Sequence, residues 1–218
     1  MLQNLVRTAG AVTFATALLA ASPALAGTPQ VVIRVYDMAT ANAAGRGAAL
    51  RAAAQALAGA GVAVDWRDCS RGGAAHPCRT VRGAGDLVVR IMPAHAPGAE
   101  ATAELGFAPI DPSGRATVIA TVYYDVVQRV AGRTGLDTQA LLGRAIAHEV
   151  GHLLLRAPGH GHSGLMRPLW TDAELAQDRP GDWAFSDEES RRLRAAAREP
   201  EASAGAAADT GLIEQAGR

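Results

Sequence analysis

The sequence predicts a mixed α/β (α+β) domain. Its expected parts are a small twisted mixed sheet, a crossover helix, a longer helix packed on the sheet, and a C-terminal helix. Three observations carry this. Short β-branched runs alternate with Ala- and Leu-rich stretches. A strand, a helix and a strand follow one another at the start, the order of a parallel crossover unit. Capping residues mark where the later helices begin.

Val31 to Asp37 (VVIRVYD) alternates apolar and polar residues and is β-branched, so it reads as a strand. Ala43 to Ala58 is Ala-rich, carries Leu50 and Leu57, and ends at Gly59 and Gly61, which reads as a helix. Val62 to Trp66 and Asp86 to Met92 are the next strands. The span from Pro93 to Pro112, punctuated by Pro97 and Pro109, reads as loop. Ala116 to Asp125 (ATVIATVYYD) reads as a strand, with Tyr123 and Tyr124 on opposite faces.

Asp137 is suited to cap a long helix reaching about Leu155, because its carboxylate can accept from the free amides of the first turn. Pro158-Gly159 ends that helix. Thr171 with Glu174 and Ser186 with Glu189 are capping boxes; the second opens a helix to about Arg198. Residues 199–218 have the composition of a disordered tail.

The chain has 218 residues and no net formal charge, and every basic residue is Arg. That balance gives no sign of a nucleic-acid partner. Residues 1–26 have a short positive start, an apolar stretch from about Ala9 to Ala21 and the small-x-small run Ala24-Leu25-Ala26. That is the pattern of a signal peptide cut after Ala26, leaving a domain at 27–198. The expected product is secreted or periplasmic, with no membrane association after cleavage. Cys69 and Cys78 are the only cysteines. In an oxidising compartment they are expected to pair. The rival is a metal site of Cys69, His76 and Cys78, which lacks a clear fourth ligand.

The chemistry concentrates in AHEVGHLLLRAPGHGHSGLM, Ala147 to Met166, which holds four of the six histidines. His148-Glu149-Val150-Gly151-His152 is H-E-x-x-H. On a helix, residues four apart share a face, so both imidazoles can reach one ion, while Glu149 can reach a water on it as general base. A catalytic zinc needs a third protein ligand. His160, His162 and Glu174 stand at suitable distances; Glu174 already has a local role as a capping residue. The Pro158-Gly159 turn favours the histidines. His76 and His95 read as surface residues.

The stretch resembles the metzincin clan of zinc peptidases, which joins H-E-x-x-H-x-x-G-x-x-H to a downstream Met-turn. Within it, the stretch is similar to short secreted bacterial metallopeptidase-like proteins. The shared features are Tyr123-Tyr124-Asp125, His148 to His152, His160, Gly164-Leu165-Met166 and Trp170. The resemblance implies a metzincin-like fold with Zn²⁺ on His148, His152 and His160 (His162 the alternative), Glu149 as the catalytic base and Met166 in the Met-turn. It departs from the clan at Leu155, where the clan has glycine, and at Pro158, where it has histidine. The implied activity is that of a metalloendopeptidase, expected to be monomeric, with a peptide or protein substrate. The strand at Ala116 to Asp125 would then border the cleft and pair with an extended peptide. Two further readings stay open: a non-catalytic zinc-binding or interaction module, and a zinc hydrolase of non-peptide amides.

Overall fold

The structure, a computed structural model, describes residues 27–39, 43–70, 78, 83, 85–93, 104–111 and 117–199. The signal segment 1–26, His76, His95 and the tail from 200 onward lie outside the described residues. Among the described residues, five strands form one sheet: β1 Gln30–Asp37, β2 Ala63–Asp68, β3 Leu87–Met92, β4 Gly106–Phe107 and β5 Ile119–Tyr123, in the order β2-β1-β3-β5-β4. The first three pairings are parallel, and β4 joins β5 antiparallel. The helices are α1 Ala43–Gly59, α2 Tyr124–Thr134, α3 Thr138–Leu155, α4 Asp172–Gln177 and α5 Asp187–Arg198, with a 3₁₀ turn at Pro180–Trp183.

The alternation in the strands decides which side is covered. Ile33 and Val35 of β1, Val89 and Ile91 of β3, and Ala120 and Val122 of β5 are all fully buried. Side chains two apart share a face, so this set forms the inner side of the sheet. α1 contributes Ala49, Ala53 and Leu57 to the same core, and α3 contributes Leu141, Leu142 and Ile146. α3 is buried around nearly all of its circumference because it packs on α1, α2, α5 and the sheet at once.

Four sequence expectations change. The last strand stops at Tyr123, and Tyr124-Asp125 open α2 instead. Val126, Val127, Val130 and Ala131 recur at helical spacing and are buried, and Gly135 ends the helix at φ +76°, so burial of that stripe outweighs the strand preference of the tyrosine pair. The span expected to be loop contains β4. Because β4 lies outside β5, it is β4 and not the β5 segment that forms this border of the sheet. β2 starts one residue later and runs two residues further than expected.

Cys69 and Cys78 are joined in a disulfide, their Cα atoms 5.6 Å apart. Both sulfurs are thereby taken from the rival metal site. A disulfide fits an oxidising compartment. No helix among the described residues is long and apolar enough to cross a membrane.

α1 and α3 touch at a glycine. A Cβ on Gly143 would lie 2.5 Å from the carbonyl oxygen of Ala49 and 2.6 Å from the Cβ of Ala52. Gly143→Ala should therefore lower stability by about 1–3 kcal/mol, the cost typical of overpacking. Chemical denaturation checks it; an unchanged midpoint would show that the helices do not need this approach.

Candidate metal centre

α3 is fixed at both ends. The Asp137 side chain accepts from the Ala140 amide at 2.8 Å. At the other end Arg156 adopts the left-handed conformation, φ +50°, and its amide donates to His152 O. The chain leaves through Ala157, Pro158 and Gly159 and turns back beside the helix, bringing His160 to His148 and His152.

The return is held by backbone. Gly161 N donates to Met166 O and Leu165 N to Ala184 O, each at 2.8 Å. Gly164 has φ +73°, and a Cβ there would stand 2.5 Å from Ala184 O, so the turn requires glycine twice over. Arg167 Nη1 donates to Gly164 O and Asp182 O, each at 3.0 Å, tying this turn to the 3₁₀ turn. Met166 is fully buried under α3, where a Cβ on Gly151 would come within 2.7 Å of its Sδ.

Two of the three imidazoles are oriented by carbonyls. His148 Nδ1 is 2.8 Å from Leu165 O, and His152 Nδ1 is 2.9 Å from Ala157 O. A carbonyl only accepts, so each Nδ1 carries the proton, and in the neutral ring Nε2 is left with a lone pair. Those Nε2 atoms converge: His152 Nε2 lies 3.1 Å from His148 Nε2 and 3.2 Å from His160 Nε2. The bare lone pairs of His148 and His152 repel at that separation, and a cation between them reverses the sign. Tetrahedral ligands at about 2.0–2.1 Å from zinc stand about 3.3–3.4 Å apart, close to the two spacings through His152, and all three ligand atoms lie within 4.8 Å of one another. A proton is a poor substitute. Burial, reinforced by the neighbouring imidazoles, pushes the His148 pKa down to about 4, and burial together with His160 lowers that of His152. The three residues therefore form a group able to hold a metal ion.

Glu149 is buried and lines the same cleft as the three histidines, a cavity of 530 Å³. Burial first, and then the carboxylate of Glu104, raise its pKa to about 8. Its side chain packs against β4, where a Cβ on Gly106 would lie 2.8 Å from Glu149 Cγ and Oε1. Trp170 meets His148 edge-on, ring centroids 5.5 Å apart, and meets Trp183 in the same way at 5.3 Å.

Among the expected site residues, His148, Glu149, His152 and His160 come together on one cleft. His162 is exposed and outside the cluster. Glu174 closes its capping box with Thr171 and pairs with Arg167 at 3.5 Å. Sequence reasoning gave no role to Gly106 or Glu104, which border Glu149 from a segment with no periodic pattern. Leu165 and Ala157 orient the imidazoles through backbone oxygen, which leaves no mark on side-chain identity.

No family model matches the sequence. No curated protein matches it either.

Two outcomes follow from this geometry. His160→Ala should weaken metal binding by more than the roughly 10–100-fold expected for loss of an outer partner, while His162→Ala should leave it near wild type; competition with a chromophoric chelator measures both, and equal losses would contradict the cluster. In metal-free protein, Glu149 has a folded pKa of about 8 above its ordinary 4.5. Folding thus favours its protonated form, and the stability it costs is absent below about 4.5, grows as pH rises and is complete above about 8. The advantage of Glu149→Gln over wild type in metal-free urea melts should widen across that window, and a constant gap would show that the carboxylate is not buried as described.

Proposed function

We propose that the protein is an exported zinc-dependent endopeptidase with a metzincin-like centre. His148, His152 and His160 would hold Zn²⁺, and Glu149 would act as general base. The observation that carries this reading is the convergence of three imidazole Nε2 atoms, two of them with lone pairs fixed inward, beside a buried carboxylate in one cleft. A structural zinc is usually closed by four protein ligands, whereas three leave one position open. The disulfide and the composition of residues 1–26 support export.

A zinc ion bound there would supply Lewis acidity, polarising the scissile carbonyl and easing deprotonation of water. The chain's own residues do the rest. Leu165 O and Ala157 O keep two imidazoles in the tautomer that presents Nε2. Glu149 takes a proton from the attacking water and passes it to the leaving amine. Its raised pKa in the metal-free cleft suits it to hold that proton between the two steps, and a nearby cation would draw the pKa down towards the base form. β4 offers its outer edge along the cleft, where Gly106 and Phe107 can pair with an extended peptide. Met166 supports α3 from below at Gly151.

The test is hydrolysis of casein and of a peptide library by zinc-loaded wild type and Glu149→Gln. The substitution should retain one zinc per chain and lower kcat by about 10²–10⁴. Equal turnover by the two proteins would remove Glu149 from the chemistry. Zinc binding without hydrolysis of any peptide would favour a binding module or a non-peptide amide substrate.

A further inference from the structure

The sheet has two edges of different character. At one, β4 has two residues and borders the cleft. At the other, β2 runs for six residues, and among the described residues no strand pairs with its outer side. The bonds to β1 decide which backbone groups of β2 face outward. Ala63 N donates to Pro29 O at 2.8 Å and Cys69 N to Val35 O at 2.7 Å. Neighbouring residues of a strand turn their amides to opposite sides, so those of Asp65 and Arg67 also face β1. The N–H and C=O groups of Val64, Trp66 and Asp68 point outward, a row open to another strand.

Side chains divide between the two faces of this edge. Trp66 is level with Ile33 and packs against the core. Asp65 and Arg67 are level with Val32 and Arg34, so they stand on the opposite face. There they pair with each other at 3.3 Å, and both side chains remain partly exposed. A strand edge with one sign of charge repels its own copy. An edge with both signs two residues apart rejects some registers and favours another. Antiparallel self-pairing with Asp65 opposite Asp65, or Arg67 opposite Arg67, sets like charges face to face. Self-pairing with Trp66 opposite Trp66 sets each Asp65 against the Arg67 of the second copy, twice over by symmetry. That register also suits the backbone. The two copies of Trp66 exchange N–H···O bonds, as do Val64 and Asp68, and the charged residues fall at the pairs whose side chains approach closest. Asp68 brings no unanswered charge, because Arg46 holds it at 2.7 Å.

We propose that two copies of the chain join β2 to β2, antiparallel and centred on Trp66, in place of the monomer expected from the sequence. Their sheets become one, and β4 of each copy stays at a far end beside its own cleft. The proposal does not depend on the peptidase reading. Edge pairing covers little surface, so the dimer is weak, half-formed at about 10⁻⁵–10⁻⁴ M.

Sedimentation velocity over a concentration series at low salt tests it. Asp65→Arg places Arg against Arg across the axis, and Arg67→Asp places Asp against Asp. Each should weaken dimerisation by about tenfold or more. An equal mixture of the two single variants should dimerise like wild type, since each then meets the opposite charge. Loss of the pair within one chain cannot produce that recovery, because both variants still lack it. Wild type that stays monomeric at about 10⁻³ M overturns the proposal. So do single variants that dimerise as well as wild type, and so does a mixture of folded variants that fails to recover. Hydrogen exchange on wild type alone covers the case of a variant that misfolds. The outward amides of Val64, Trp66 and Asp68 should exchange about threefold or more slowly at 10⁻³ M than at 10⁻⁶ M, and exchange independent of concentration overturns the β2 contact.

Discussion

Three imidazole nitrogens converge, and the surrounding fold holds two of them, on His148 and His152, with their lone pairs aimed at each other. Nothing in the apolar packing favours this. The cost of placing the His148 and His152 lone pairs 3.1 Å apart is offset when a cation shares the space. The backbone carbonyls at Leu165 and Ala157 remove the easy escape, in which a ring turns over and donates from Nε2. Burial removes the other escape, protonation, by holding His148 and His152 below the usual imidazole range. A buried carboxylate next to this cluster is a second frustrated group, of the opposite kind, since it needs positive charge nearby to ionise. One cation relieves both.

The rest of the architecture keeps those groups from relaxing apart. α3 cannot rotate, because α1 meets it at Gly143 and Met166 and Phe185 meet it at Gly151. Each glycine is a place where another atom occupies the volume of a Cβ. The turn that carries Leu165 is anchored to Ala184 and to the 3₁₀ turn through Arg167. That arginine also lies 5.2 Å from the Trp183 ring, and Arg144, one turn before His148 on α3, lies 4.1 Å from it. Trp183 leads through Trp170 back to His148. The aromatic pair thus braces the first imidazole.

What was legible in the sequence was local. Asp137, Thr171 and Ser186 announced helix starts because a cap acts within three residues, and all three are in place. The i, i+4 histidines could be placed on one face by helix geometry alone. Features set by distant partners were harder to read. β4 has two residues and no periodicity, and it exists because β5 offers an edge. The change from β5 to α2 at Tyr123/Tyr124 pitted local strand preference against a buried stripe ending in Gly135, and the stripe prevailed. Selection of His160 over His162 for the cluster depends on the left-handed Arg156 and on hydrogen bonds from Gly161 and Leu165 to residues further along the chain.

The three imidazoles differ in how they are tethered. Two belong to a helix whose rotation the core forbids, while the third rides a solvent-facing bend after Pro158-Gly159 and is itself exposed. A donor on such a tether swings away in a side-chain or loop motion of nanoseconds to microseconds, whereas the helical pair leaves only by partial unfolding. An ion held at this centre would consequently enter and leave by one doorway, and small chelating anions in the medium would compete with the loop rather than with the helix.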